Sequence, residues 1–64
     1  MSKKELYAKQ IKLVNKDIAE LEQLLITAIN EVGLEYLDIY SFISKRDALV
    51  MKKDKLLYLL ALEN

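Results

Sequence analysis

Residues 7–33 read YAKQIKLVNKDIAELEQLLITAINEVG, and the spacing of their apolar side chains decides the fold. The apolar residues recur at alternating intervals of four and three, which places them on one helix face and is typical of a coiled-coil seam. They are Tyr7, Ile11, Val14, Ile18, Leu21, Leu25, Ala28 and Val32. Gly33 follows directly. Because glycine adopts positive φ without a side-chain penalty, it predicts the end of this helix and a turn.

The start of the first helix is marked by its capping residues. Ser2 and Glu5 are spaced as a capping box, and Met1 and Leu6 are spaced as a hydrophobic staple around it. We therefore predict a first helix from about Lys3 to Val32.

A second helical segment with a less regular apolar face is predicted after Gly33. Its candidate core positions are Tyr36, Ile39 or Tyr40, Ile43, Leu49 or Val50, Leu56 or Leu57, and Leu60. The chain has no proline and one glycine, which favours long helices over a sheet. Residues 1–64 are therefore predicted to form a single all-α domain, an antiparallel two-helix hairpin with arms of about thirty residues.

Residues 43–49, ISKRDAL, allow two interpretations of the second helix. Ser44 and Asp47 are spaced as an N-cap and an acid in its first turn, which predicts a break near Ser44. Alternatively, the helix is continuous and both side chains lie in solvent.

The amount of apolar surface predicts association. At 64 residues an isolated core is marginal, and the absence of cysteine excludes disulfides. Residues 24–29, LLITAI, and residues 56–62, LLYLLAL, are apolar around more of the helix than one neighbour covers. We expect a homodimer that forms a four-helix bundle.

The charges sum to zero but are segregated along the chain. Residues 3–16 are basic, residues 17–38 carry only acids, and the remainder is mildly basic. The zero net charge argues against a nucleic-acid or anionic-membrane partner. No N-terminal signal segment and no apolar run of roughly 20 residues is present, so a cytoplasmic location without a membrane span is expected.

The residue types limit the available chemistry. Without histidine or cysteine, the usual zinc ligands, the thiolate nucleophile and the Ser/His/Asp triad are missing, and we expect no metal and no cofactor. Glu31, Glu35 and Asp38 near the turn are best interpreted as a solvated acidic tip. Tyr36, Tyr40 and Phe42 near the turn are candidates for a partner-binding surface.

From Ile18 to Val50 the chain resembles the small sporulation-regulatory aspartyl-phosphate phosphatases, which are helical hairpins that act on phosphorylated response regulators. In that family an I-x-x-L-R helix leads to a K/Y-G-L/F turn and then to a helix carrying L-S-Q-x-L-D-x-L-I. The matching residues here are Ile18 and Leu21, Gly33 and Leu34, and Asp47, Leu49 and Val50.

The departures from the family pattern lie at its polar positions. Ile43 stands where the motif has serine, Arg46 where it has leucine, and Glu22 where it has arginine. Ser44 does not replace the missing hydroxyl, since one helical position rotates a side chain by about 100°. The resemblance therefore implies retained binding with lost or weakened hydrolysis, and it leaves Asp47 as the one candidate catalytic residue.

These observations predict a small regulatory module that self-associates and binds another protein through a helix face. The resemblance implies a response regulator as that partner. The candidate binding residues are Tyr36, Tyr40, Ile43, Ser44, Arg46 and Asp47. Two alternatives stay open. One is a weak aspartyl-phosphate phosphatase, and the other is a small dimeric RNA-binding hairpin. In the RNA-binding alternative, a basic stretch of the second helical segment would contact the RNA phosphates. This stretch consists of Lys45, Arg46, Lys52, Lys53 and Lys55.

Overall fold

The computed structural model describes residues 2–63 and consists of two long helices that pack against each other. Helix α1 spans Lys3–Val32, a 3₁₀ turn spans Leu34–Tyr36, and helix α2 spans Ile39–Leu62. The molecule measures 46 × 17 × 12 Å, so its long axis is that of one 30-residue helix at about 1.5 Å per residue. The predicted all-α hairpin is confirmed.

Helix α1 has the Ser2 half of the predicted capping box at its N-terminus. The Ser2 hydroxyl accepts a hydrogen bond from the backbone N–H of Glu5 at 3.2 Å. The backbone N–H of Leu6 donates to the Ser2 carbonyl at 3.0 Å. The staple with Met1 lies outside the described residues. Both predicted ends of α1 are confirmed.

Gly33 ends α1 with φ 95° and ψ 147°, a conformation that is close to a region used almost only by glycine. Its N–H donates to the Ile29 carbonyl at 3.0 Å. The chain then forms the 3₁₀ turn and passes through an extended Leu37. The turn predicted at Gly33 is confirmed, but the regular second helix begins only at Ile39.

Helix α2 is continuous through Ser44, so the predicted break near Ser44 is wrong. Its N-cap is instead Asp38, whose carboxylate accepts from the backbone N–H of Ser41 at 3.1 Å. The cap forms there because Asp38 follows the extended Leu37, whereas ISKRDAL contains no glycine or proline to interrupt a helix. The alternative interpretation, a continuous helix with Ser44 and Asp47 exposed, is confirmed.

The predicted seam of α1 faces α2 along most of its length. Seven of its eight residues are buried or half-buried, and Val14 is only 2% exposed. Val32 is 53% exposed. The connection from Gly33 to Asp38 delays the start of α2, so the last turn of α1 extends beyond the first turn of its neighbour.

The seam of α2 also follows intervals of three and four, but two of its positions are basic. By this spacing it consists of Ile39, Phe42, Arg46, Leu49, Lys53, Leu56 and Leu60. Lys53 is half-buried, as expected where the aliphatic stem lies along apolar surface and the ammonium group reaches water. The two basic residues explain why the apolar pattern is irregular.

The structure also shows which residue of each adjacent pair of core candidates in α2 is the more buried. Ile39 is half-buried whereas Tyr40 is 84% exposed, and Leu56 is 7% exposed whereas Leu57 is 43% exposed. Leu49 is likewise less exposed than Val50. Tyr36 is 78% exposed because it lies in the 3₁₀ turn and not in α2, so its predicted core position is wrong.

Candidate functional site

Four residues form a row on the side of α2 that faces away from α1. Tyr40, Ser44, Asp47 and Met51 follow one another at intervals of four, three and four, and all four are exposed. We call them the outer row. Three of them were predicted as binding residues. Met51, which is 71% exposed, was missed, although its spacing from Asp47 in the sequence was the signal.

Ile43 lies on the flank of α2 between the seam and the outer row, three residues after Tyr40 and four before Asp47. Ile43, Val50 and Leu57 are seven residues apart, and each directly follows a seam residue. They are 38%, 38% and 43% exposed, so each is partly covered by the hairpin and partly open. We call these three residues the ridge. The ridge therefore borders the outer row along one edge, where Asp47 is four residues from Ile43 and three from Val50.

Arg46 lies at the edge of the helix interface. A cavity of about 30 Å³ there is lined by Leu21, Glu22, Leu25, Phe42, Ile43 and Arg46. This volume holds one or two waters and is far below that of a small-molecule pocket. The Arg46 Nε lies 4.0 Å from Asp47 Oδ1, with both side chains about half exposed, so this ion pair contributes little.

The opposite side of the hairpin carries an open groove with a charged rim. Its volume is about 480 Å³, and it is lined by Asp17, Glu20, Leu21, Leu24, Lys45, Ala48 and Leu49. Leu24, at 62% exposed, separates it from a second open groove beside Gln23 and Thr27. Leu24 thus shares a surface with Lys45, whereas Ile43 shares one with Glu22.

The residues that resemble the phosphatase pattern do not place a hydroxyl and a carboxylate in contact. Ile43 occupies the serine position, and within residues 2–63 no side-chain hydrogen bond joins Ser44 to Asp47. The Asp47 side chain is 62% exposed. This geometry presents a carboxylate on a convex helix surface, where it is able to contact a partner.

The acidic residues near the turn and the basic stretch of α2 do not form a metal site or a single basic face. Within the described range, no three carboxylates are grouped so as to hold a metal ion, and Asp38 serves as the α2 cap. Lys45 lies in the charged groove and Lys53 in the seam, so the basic stretch does not form one face. Over residues 2–63, neither helix has the apolar length that crossing a bilayer requires.

Comparisons with models of protein families, with curated proteins and with solved structures found no significant match.

Proposed function

We propose that this chain is a small regulatory interaction module that self-associates and binds another protein through the outer row. The observation that carries the proposal is the ratio of exposed to buried apolar side chains. Among residues 2–63, fourteen large apolar residues are exposed, whereas only Val14 and Leu56 are buried. A core of this size offsets little of the conformational entropy lost on folding, and association supplies the missing burial.

The two helices differ in what they present to solvent. The outward face of α1 is polar: Lys9, Lys16, Gln23 and Asn30 are seven residues apart and all exposed. The exposed surface of α2 instead carries Tyr40, Met51, Tyr58 and Leu62, each at least 64% exposed. These four are the most exposed large apolar side chains in the two helices, so α2 is the binding helix.

The outer row has the composition of a protein-binding surface. Tyrosine and methionine are enriched in protein interfaces, and the tyrosine hydroxyl keeps a polar contact when the ring is covered. Ser44 and Asp47 lie between Tyr40 and Met51 and add polar recognition. A response regulator is the partner class that the resemblance to the phosphatase family suggests. We propose binding without rapid hydrolysis, since Ile43 replaces the motif hydroxyl.

The partner class is tested with purified receiver domains of response regulators from the same cell, phosphorylated by a small phosphodonor. Titration calorimetry is expected to show binding of at least one of them. Tyr40→Ala combined with Met51→Ala should weaken it at least about tenfold, as interface anchors do. Gln23→Ala combined with Asn30→Ala, on the polar face of α1, is the matched control.

The same mixtures test the absence of catalysis. The phosphoryl group should be lost from the receiver domain at its intrinsic rate. Rapid loss that disappears in Asp47→Asn would overturn the non-catalytic assignment and favour the weak phosphatase. Failure of every receiver domain to bind would overturn the partner class.

A further inference from the structure

We infer that a second copy of this chain packs on the ridge, with α2 antiparallel to α2 and the two turns at opposite ends. The inference rests on the self-association in the proposed function and adds the surface and the orientation to it. In this arrangement Val50 lies near the twofold axis, and Ile43 of one copy meets Leu57 of the other. The interface is isologous, because both copies contribute the same residues.

The accessible surface of the hairpin is too large for a compact monomer. It is 5169 Å² for a mass of 7.4 kDa, whereas a folded monomer of this mass exposes about 4,200 Å². The excess of about 1,000 Å² is similar to the roughly 800 Å² that each partner buries in a standard interface. One further interface of standard size would reduce the accessible surface area to that expected for a folded protein of this mass.

The ridge continues the existing core. Ile43, Val50 and Leu57 directly follow Phe42, Leu49 and Leu56, which are half-buried or buried in the seam. Together the two rows form the broad apolar stripe of a helix that is covered by more than one neighbour. On the opposite side, Leu24 has Asp17 and Glu31 seven residues before and after it, so no continuous apolar row passes through Leu24.

The charge order along α1 selects the orientation. Its first half carries Lys9, Lys12 and Lys16, and its second half carries Glu20, Glu22 and Glu31. With the turns at opposite ends, the basic half of one copy lies beside the acidic half of the other. With the turns together, two acidic tips would be neighbours. Exposed pairs are individually weak, so apolar burial drives the association and charge selects its direction.

Sedimentation equilibrium of matched lysine variants tests the surface. Val50→Lys places a charge at the centre of the ridge, whereas Leu24→Lys places the same charge in the groove on the other side. The wild-type chain and Leu24→Lys should be dimers at tens of micromolar, while Val50→Lys should raise the dimer dissociation constant at least about a hundredfold. Equal effects of the two variants would overturn the assignment of the ridge.

Single-cysteine variants test the surface and the orientation without removing the fold, since the chain has no cysteine of its own. Disulfides need Cα atoms within about 7 Å, so only residues near the twofold axis link to themselves. Val50→Cys should form covalent dimers on mild oxidation, and Leu24→Cys should not. A mixture of Ile43→Cys and Leu57→Cys should give mainly the mixed dimer.

Each contrary outcome identifies which statement fails. Crosslinking of Leu24→Cys in place of Val50→Cys, in a chain that sediments as a dimer, keeps self-association and overturns the ridge. Preferential linking of Ile43→Cys to itself overturns the antiparallel orientation. A folded wild-type monomer at tens of micromolar overturns self-association itself, and with it that part of the proposed function.

Discussion

The Asp38 carboxylate accepts a hydrogen bond from the backbone N–H of Ser41 at 3.1 Å and so starts helix α2. This cap sets the residue at which α2 begins, and α2 then runs without interruption from Ile39 to Leu62. Packing against α1 half-buries Ile39, the first residue of α2, and leaves Tyr40 exposed.

We expect Asp38→Ala to lower the free energy of unfolding by about 1 kcal/mol, within the range of 0.5 to 2 typical of a lost N-cap. Ser44→Ala is the matched control, because Ser44 is an exposed interior residue of α2, and it should change stability by less than about 0.5 kcal/mol. Urea unfolding followed by circular dichroism at one fixed chain concentration measures both. A larger loss for Ser44→Ala would show that the helix depends on a cap at Ser44.

Replacement of Gly33 by any L-residue is expected to destabilise the hairpin. Gly33→Ala should cost about 1 to 3 kcal/mol, since the residue has φ 95°. An added Cβ would lie 3.9 Å from Tyr36 Cδ2, which is an ordinary contact, so the cost is one of backbone conformation. A synthetic chain with D-alanine at position 33 should retain more stability than Gly33→Ala. Equal losses in thermal unfolding would contradict this explanation.

The basic residue at seam position 53 offers a route to a more stable hairpin. Lys53→Leu should raise the free energy of unfolding by about 1 kcal/mol, because it completes an apolar seam between Leu49 and Leu56. Lys52→Leu, one position away and exposed, should have little effect. Urea midpoints at equal chain concentration compare the two. A similar gain from both variants would show that position 53 does not belong to the seam.

Self-association should depend only weakly on ionic strength. Raising the salt concentration to about 0.5 M screens the exposed charges but leaves apolar burial in place, so the dimer should persist. Sedimentation equilibrium at low and high salt measures the dissociation constant. Dissociation by salt alone would mean that charge pairs, and not the ridge, provide most of the binding free energy.

Helix α1 was fully predictable because its determinants are local. The Ser2 cap, the regular seam and Gly33 lie within one continuous segment, and each follows from backbone geometry or helical periodicity. The sequence also indicated, through its apolar excess, that the hairpin leaves much surface uncovered. Residues 2–63 confirm this with fourteen large apolar residues exposed.

Which residues of helix α2 are buried could not be predicted from the sequence, because burial depends on contact with α1. Adjacent apolar residues such as Leu56 and Leu57 are equally good helix formers with equal apolar area, and only contact with α1 selects which of them is buried. The same contact covers part of Ile43, which is 38% exposed, and leaves the Asp47 side chain, four residues further on, 62% exposed. By itself, the sequence determined that two helices with apolar faces form and where the first begins and ends. Packing decided which side of the second remains available to a partner, because burial is a property of the pair of helices.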